Sequence, residues 1–224
     1  MVIAVDGPGG VGKSTVASRV AITVGLPHLD TGSTYRAAGL AALRNGGALN
    51  DSAGVLAALD AVEIRIVDGI VSIDGIDVTD ELRTDEVTRA SSVVATHPDV
   101  RSRIVALQRS WVEERGGSAV VEGRDIGTVV FPDAPVKIYL TARPEIRAAR
   151  RSGDAEAVDK STEQIAAELA ARDHADSSRE ASPLKPAVDA VIIDTSDLTI
   201  DEVVERVLNL VEATTNRKSR THRR

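Results

Sequence analysis

Hydrophobic and polar positions alternate in blocks along the chain. Residues 2–6 are an apolar run closed by Asp6, which predicts a short buried strand. Glycines follow, then a helical pattern over 13–24 and a second short strand over 27–30. Helices are expected over 33–43 and 51–60. The pattern then changes over 62–78: residues 63–67 alternate, Asp68-Gly69 is a hairpin signal, and 70–73 alternate again before Asp74-Gly75, so a small antiparallel insert is expected there. Helical spacing resumes over 84–95 and 98–115. Further buried strands are expected over 119–122, 136–141 and 189–194, separated by helices over 144–151, 162–174 and 200–213. Strand–helix alternation of this kind predicts an α/β fold with a parallel sheet covered on both faces.

Composition narrows the class. The chain has 224 residues and is 42% hydrophobic, enough for one α/β domain with a sizeable core. It has no cysteine, which excludes a disulfide framework and any thiolate metal site. No stretch reaches the roughly 18–20 apolar residues that span a bilayer, and the first residues lack a basic leader, so a cytoplasmic location is expected. The net charge is −7, yet Arg217, Lys218, Arg220, Arg223 and Arg224 cluster at the end. Without those five the rest carries about −12, which argues against general duplex binding. Residues 216–224 read as a solvated, flexible basic tail. With one Trp, two Tyr and one Phe, no stacking platform for single strands is expected; Trp111 reads as packing. His28, His97, His174 and His222 lack metal-ligand spacing and read as structural or surface residues.

The glycines carry the first chemistry. Gly7, Pro8, Gly9, Gly10, Val11, Gly12, Lys13 and Ser14, followed by Thr15, fit the phosphate-binding pattern G-x-x-x-x-G-K-[ST] between a strand and a helix. Backbone N–H groups converge on phosphate oxygens, Lys13 bridges β- and γ-phosphates, and Ser14 or Thr15 offers a hydroxyl toward Mg²⁺. A nucleoside triphosphate is the expected ligand. The base-reading N-K-x-D of GTPases is absent and the chain is short for a motor, which leaves a small-metabolite kinase. A phosphorylated acceptor calls for arginines, which grip phosphate with paired hydrogen bonds, and Arg36, Arg101, Arg124, Arg172 and Arg179 are candidates.

Three further blocks carry a family resemblance. Leu29-Asp30-Thr31-Gly32-Ser33-Thr34-Tyr35-Arg36, then Glu122-Gly123-Arg124-Asp125-Ile126-Gly127-Thr128-Val129-Val130-Phe131-Pro132, then Arg172-Asp173-His174-Ala175-Asp176-Ser177-Ser178-Arg179 resemble bacterial cytidylate kinases. The resemblance implies a P-loop nucleoside monophosphate kinase fold: a five-stranded parallel sheet, a small antiparallel insert and a short lid. It divides a single domain over 1–215 into a core (1–30, 98–142 and 180–215), an acceptor region (31–97) and a lid (143–179). By similarity Thr31, Ser92, Arg101, Arg124, Asp125, Arg172, Asp176 and Arg179 bind the acceptor, and Arg36 suits its phosphate. Asp125 would accept from the cytosine amino group while Ser92 and Arg101 donate to the ring acceptors; Asp176 suits a ribose hydroxyl. Glu122 stands where family members commonly have aspartate, and would order Mg²⁺ through water or serve as an ordinary strand-end acid.

Arg143, Arg147, Arg150 and Arg151 fall on one face of the helix expected over 144–151, and Arg147, Arg150 and Arg151 are the candidates for charge stabilisation at the transferring phosphate. The implied reaction is direct in-line transfer from ATP to CMP or dCMP, by a monomer without a nucleic-acid or membrane partner. Two other readings remain: a P-loop kinase acting on UMP, AMP or shikimate, and a nucleotide-binding switch without catalysis.

Overall fold

β1 (Val2–Asp6) is buried almost throughout, which is why its sequence is nearly all apolar. The computed structural model describes residues 1–46, 48–153 and 161–221, and side chains as far as 216. After the glycine loop comes α1 (Lys13–Val24), which buries Val16, Ala17, Val20 and Ala21 at helical spacing. The helix ends at Gly25 in the left-handed conformation (φ 66°), and Leu26 N donates to Ala21 O at 3.0 Å, closing a Schellman turn. β2 (His28–Asp30) follows. The chain divides into two compact units, Met1–Leu29 with Arg115–Arg224, and Asp30–Glu114.

The second unit opens with α2 (Thr31–Arg44), capped by Asp30, and α3 (Ser52–Asp60), capped by Asp51. The alternating stretch forms β3 (Ile64–Val67), β4 (Ile70–Ile73) and β5 (Ile76–Asp77), a three-stranded antiparallel sheet in that order. Both Asp-Gly pairs turn the chain with positive φ, 49° and 81° at Asp68-Gly69 and 52° and 80° at Asp74-Gly75. A 3-10 turn (Glu81–Arg83), α4 (Asp85–Val94) and α5 (Pro98–Glu113) complete this unit. Its core joins Ala38, Ala42, Val55, Leu59, Val94, Val100 and Ile104. Trp111 is buried and its indole N–H donates to Ile66 O at 2.8 Å, a packing role. α5 falls in this unit, although the sequence division placed residues from 98 onward with the core.

The first unit resumes with β6 (Ala119–Gly123), a π-helical turn (Ile126–Val130), β7 (Val136–Thr141), α6 (Pro144–Arg151), α7 (Thr162–Ser177), β8 (Val191–Asp194) and α8 (Ile200–Thr221). The sheet order is β2-β6-β1-β7-β8. β1 pairs in parallel with β6 and β7, and β7 with β8, so their carboxyl ends share one edge. Helices flank this sheet; Val203, Val204, Val207 and Val211 of α8 join Ile3, Val5, Val20, Ile138 and Leu140 in one core. α8 continues to Thr221, past the expected end at 213 and into the segment expected to be a flexible tail. The side chains of that tail, and residues 154–160 of the expected lid, lie outside the described residues. Among the described residues no helix is long and apolar enough to cross a membrane.

The candidate phosphate-transfer site

The loop after β1 sits at the carboxyl edge of the sheet, where open α/β folds bind ligands. Its backbone demands glycine at two contacts. At Gly7 (φ 147°) a Cβ would stand 2.3 Å from Leu140 O, and at Gly10 (φ 77°) 3.0 Å from Arg147 O. α1 starts at Lys13, so its free N–H groups face the loop. Lys13 is 8% exposed and its ammonium donates to Pro8 O at 2.7 Å. Burial, and next the charge of Arg124, push Lys13 well below the usual lysine range; Arg172 acts in the same direction, while Glu122 and Asp6 oppose them. The charges of Arg124 and Arg172 both act against the Lys13 ammonium, which a bound polyanion would relieve.

On the other side of Lys13, Ser14 Oγ donates to Glu122 Oε2 at 3.0 Å. Glu122 is only 2% exposed, and its second oxygen meets His28 Nε2 at 3.1 Å. A hydroxyl and a carboxylate in contact at the loop are the hard oxygen donors that suit Mg²⁺. Thr15 is exposed on the first turn of α1.

The expected arginine stripe divides. Arg147 is buried; its Nε donates to Gly9 O at 2.6 Å and its guanidinium pairs with Asp173. Asp173 Oδ1 also accepts from Gly9 N at 3.3 Å. Arg150 donates to Thr195 O at 2.7 Å and to Thr195 Oγ1 at 2.9 Å, beside Val11 O at 3.4 Å. Arg151 ends α6, half-buried. Arg143 leaves the group. It is the N-cap of α6, with non-helical ψ of 143°, so helical spacing does not apply to it. Its guanidinium forks onto Asp197 at 2.7 and 2.8 Å, and that pairing raises its pKa.

The acceptor candidates fall into two groups. In the first unit Asp176, 3% exposed, takes Arg124 Nε at 3.0 Å on one oxygen and the Arg179 guanidinium on the other. Asp125 is buried, and its carbonyl accepts from Val129 N at 2.8 Å and Val130 N at 3.1 Å. Arg172 lies on α7 near enough to act on Lys13.

In the second unit Asp30 accepts from Gly32 N at 2.8 Å and from Arg36 NH2 at 2.6 Å, leaving the buried Arg36 Nε without a partner. Thr31 is the buried first residue of α2. Arg101 is buried, donates to Ala95 O at 3.3 Å and lies 5.2 Å from the Tyr35 ring centroid. Ser92 Oγ donates to Thr88 O at 3.2 Å.

Sequence reading missed two acids here. Asp173 stands in the charged segment 172–179, but its partner Gly9 is 164 residues away. Asp6 is buried and its carboxylate accepts from Ile126 N and Gly127 N, each at 2.8 Å. Burial outweighs those two hydrogen bonds and pushes its carboxyl up to about 6. The one available signal was an acid closing an otherwise apolar strand.

A parallel sheet with a glycine loop after its first strand, a buried lysine and converging guanidinia define the class of P-loop kinases. The cytidylate kinase family model matches residues 3–213, and the chain belongs to that family. It is 47% identical to the cytidylate kinase of Streptomyces avermitilis over 95% of this chain and 93% of that one. It is also 47% identical to that of Mycobacterium leprae, over 95% and 96%. The fold alone is shared with a gluconokinase from Sinorhizobium meliloti at a TM-score of 0.50, with 15% identity over 99% of this chain and 97% of that one.

Proposed function

We propose that the protein transfers the γ-phosphoryl group of ATP to CMP, and to dCMP, giving ADP and CDP or dCDP. The family supports the acceptor. The observation that carries the chemistry is the glycine loop closed around the buried Lys13, whose ammonium donates to Pro8 O at 2.7 Å while Arg147 Nε donates to Gly9 O at 2.6 Å.

An oxygen of the acceptor phosphate attacks the γ-phosphorus in line with the leaving oxygen of ADP. The loop amides from Gly10 to Ser14 orient the triphosphate, and Lys13 follows the charge that spreads during transfer. Arg147, with Arg150 and Arg151 on the same helix, stabilises that charge from the lid side. A phosphate monoester is largely ionised near neutrality, so no strong general base is required. Mg²⁺, when bound, would be held on the side of Ser14 and Glu122, with Thr15 as a second hydroxyl, and would neutralise triphosphate charge.

Asp125, Ser92 and Arg101 read the cytosine edge, Asp176 the ribose, and Arg36, Arg124, Arg172, Arg179 and Thr31 the phosphate side of the acceptor. A core, an acceptor region that takes in α5, and a lid divide the work. A monomer in the cytoplasm without nucleic-acid or membrane partners completes the reading.

Coupled measurement of ADP release with Mg-ATP and CMP tests it against Lys13→Ala. Turnover that falls by about 10²–10³ in the variant is expected. CMP-dependent ADP release that survives the substitution would place the chemistry elsewhere.

A further inference from the structure

Asp6 has no part in the transfer chemistry as described, yet it is 4% exposed and its carboxylate is used on both oxygens. Oδ1 accepts from Ile126 N and Oδ2 from Gly127 N, the first two N–H groups of the π-turn. The start of a helical turn has no acceptor of its own for these groups, so Asp6 supplies what the local sequence cannot. Asp6 is also the residue paired in register with Gly123, the last residue of β6.

The same residue therefore pins the chain at 123 through the sheet and at 126–127 through its side chain. Between those anchors lie only Arg124 and Asp125. Gly127 permits the approach: a Cβ there would stand 3.3 Å from Asp6 Oδ2 and 3.2 Å from Lys137 Cδ. The ionised carboxylate alone can accept both N–H groups; a protonated acid or an amide would turn a donor toward one of them.

We infer that Asp6 is a positioning residue for acceptor choice, acting through the backbone of Arg124 and Asp125 rather than on either nucleotide. The inference rests on the reading of Asp125 as the group that meets the acceptor base. A two-residue bridge held at both ends fixes where Asp125 presents its carboxylate, and base discrimination depends on that placement. Releasing one end loosens the reader without touching the phosphate loop's own hydrogen bonds.

Asp6→Asn in the full chain tests this. With folding checked by circular dichroism, KM for CMP should rise about tenfold and the CMP-over-UMP ratio of kcat/KM fall about tenfold, with a smaller change in KM for ATP, since the Asp6 charge also acts on Lys13. Asp125→Asn should lower the same ratio, and the double variant should lower it no further, because both changes act on one group. Amide hydrogen exchange at Ile126 and Gly127, about tenfold faster in Asp6→Asn, reads the clamp with no substrate present.

If Asp6→Asn does not fold, Gly127→Ala disturbs the clamp from the other side and carries the same expectations. An unchanged CMP-over-UMP ratio, additive losses in the double variant, or a rise confined to KM for ATP would overturn the inference, as would unchanged amide protection. Wild-type protein that ignores CMP would instead sink the proposed function, and the exchange measurement would still decide whether the clamp exists.

Discussion

At the scale of single residues, the site holds charges where burial disfavours them. Asp6 has a folded-state value of about 6 against 3.8 for the free side chain. Below 3.8 it is protonated in both folded and unfolded chains and contributes nothing to stability. Above about 6 the folded chain carries a buried carboxylate that the unfolded chain leaves in water, at a cost of about 3 kcal/mol. Its contribution therefore falls as pH rises from 3.8 to 6. Urea denaturation of wild type and Asp6→Asn should show their stability difference shifting toward the variant by about 1–3 kcal/mol between pH 4 and 7. A difference that stays flat would mean the carboxyl is not burdened by burial. An acid that costs stability while orienting a neighbouring turn fits a residue placed for function.

Among the elements, the loop and α6 separate what local sequence encodes from what it does not. The glycine loop was legible because its conformation is local: three of its glycines take positive φ, and one leaves no room for a Cβ. Gly7→Ala forces a methyl group against Leu140 O and should lower stability by about 2–4 kcal/mol, or displace the loop and abolish ATP binding. Wild-type stability with intact ATP affinity would contradict that. The Asp68-Gly69 hairpin was legible for the same local reason.

The π-turn was not, because Ile126-Gly127-Thr128-Val129-Val130 has no helical preference and its first N–H groups are satisfied by a carboxylate 120 residues earlier. The arginine stripe was half legible. Helical spacing finds Arg147 and Arg150, but the chain enters α6 at Arg143, where spacing fails. Arg143→Ala should leave kcat within about twofold, since its guanidinium is exposed and paired with Glu145 and Asp197. Arg147→Ala should lower kcat by about 10²-fold. Equal losses in the two variants would return Arg143 to the site.

For the whole molecule, sheet order and site location follow from where each strand ends. β1, β6, β7 and β8 run in parallel, so the glycine loop, the Arg124-Asp125 bridge, α6 and the Thr195 turn all follow strands at one edge. Alternating pattern sufficed to read that architecture. The partners of Asp173 depend on contacts that no local pattern encodes. Acceptor choice is the property on which the proposed function rests. Its most direct test is kcat/KM for ADP release with CMP, dCMP, UMP, AMP and shikimate under saturating Mg-ATP. CMP and dCMP are expected ahead of every other acceptor by at least about tenfold. Faster turnover of UMP, AMP or shikimate, or ATP binding without turnover of any of them, would contradict it.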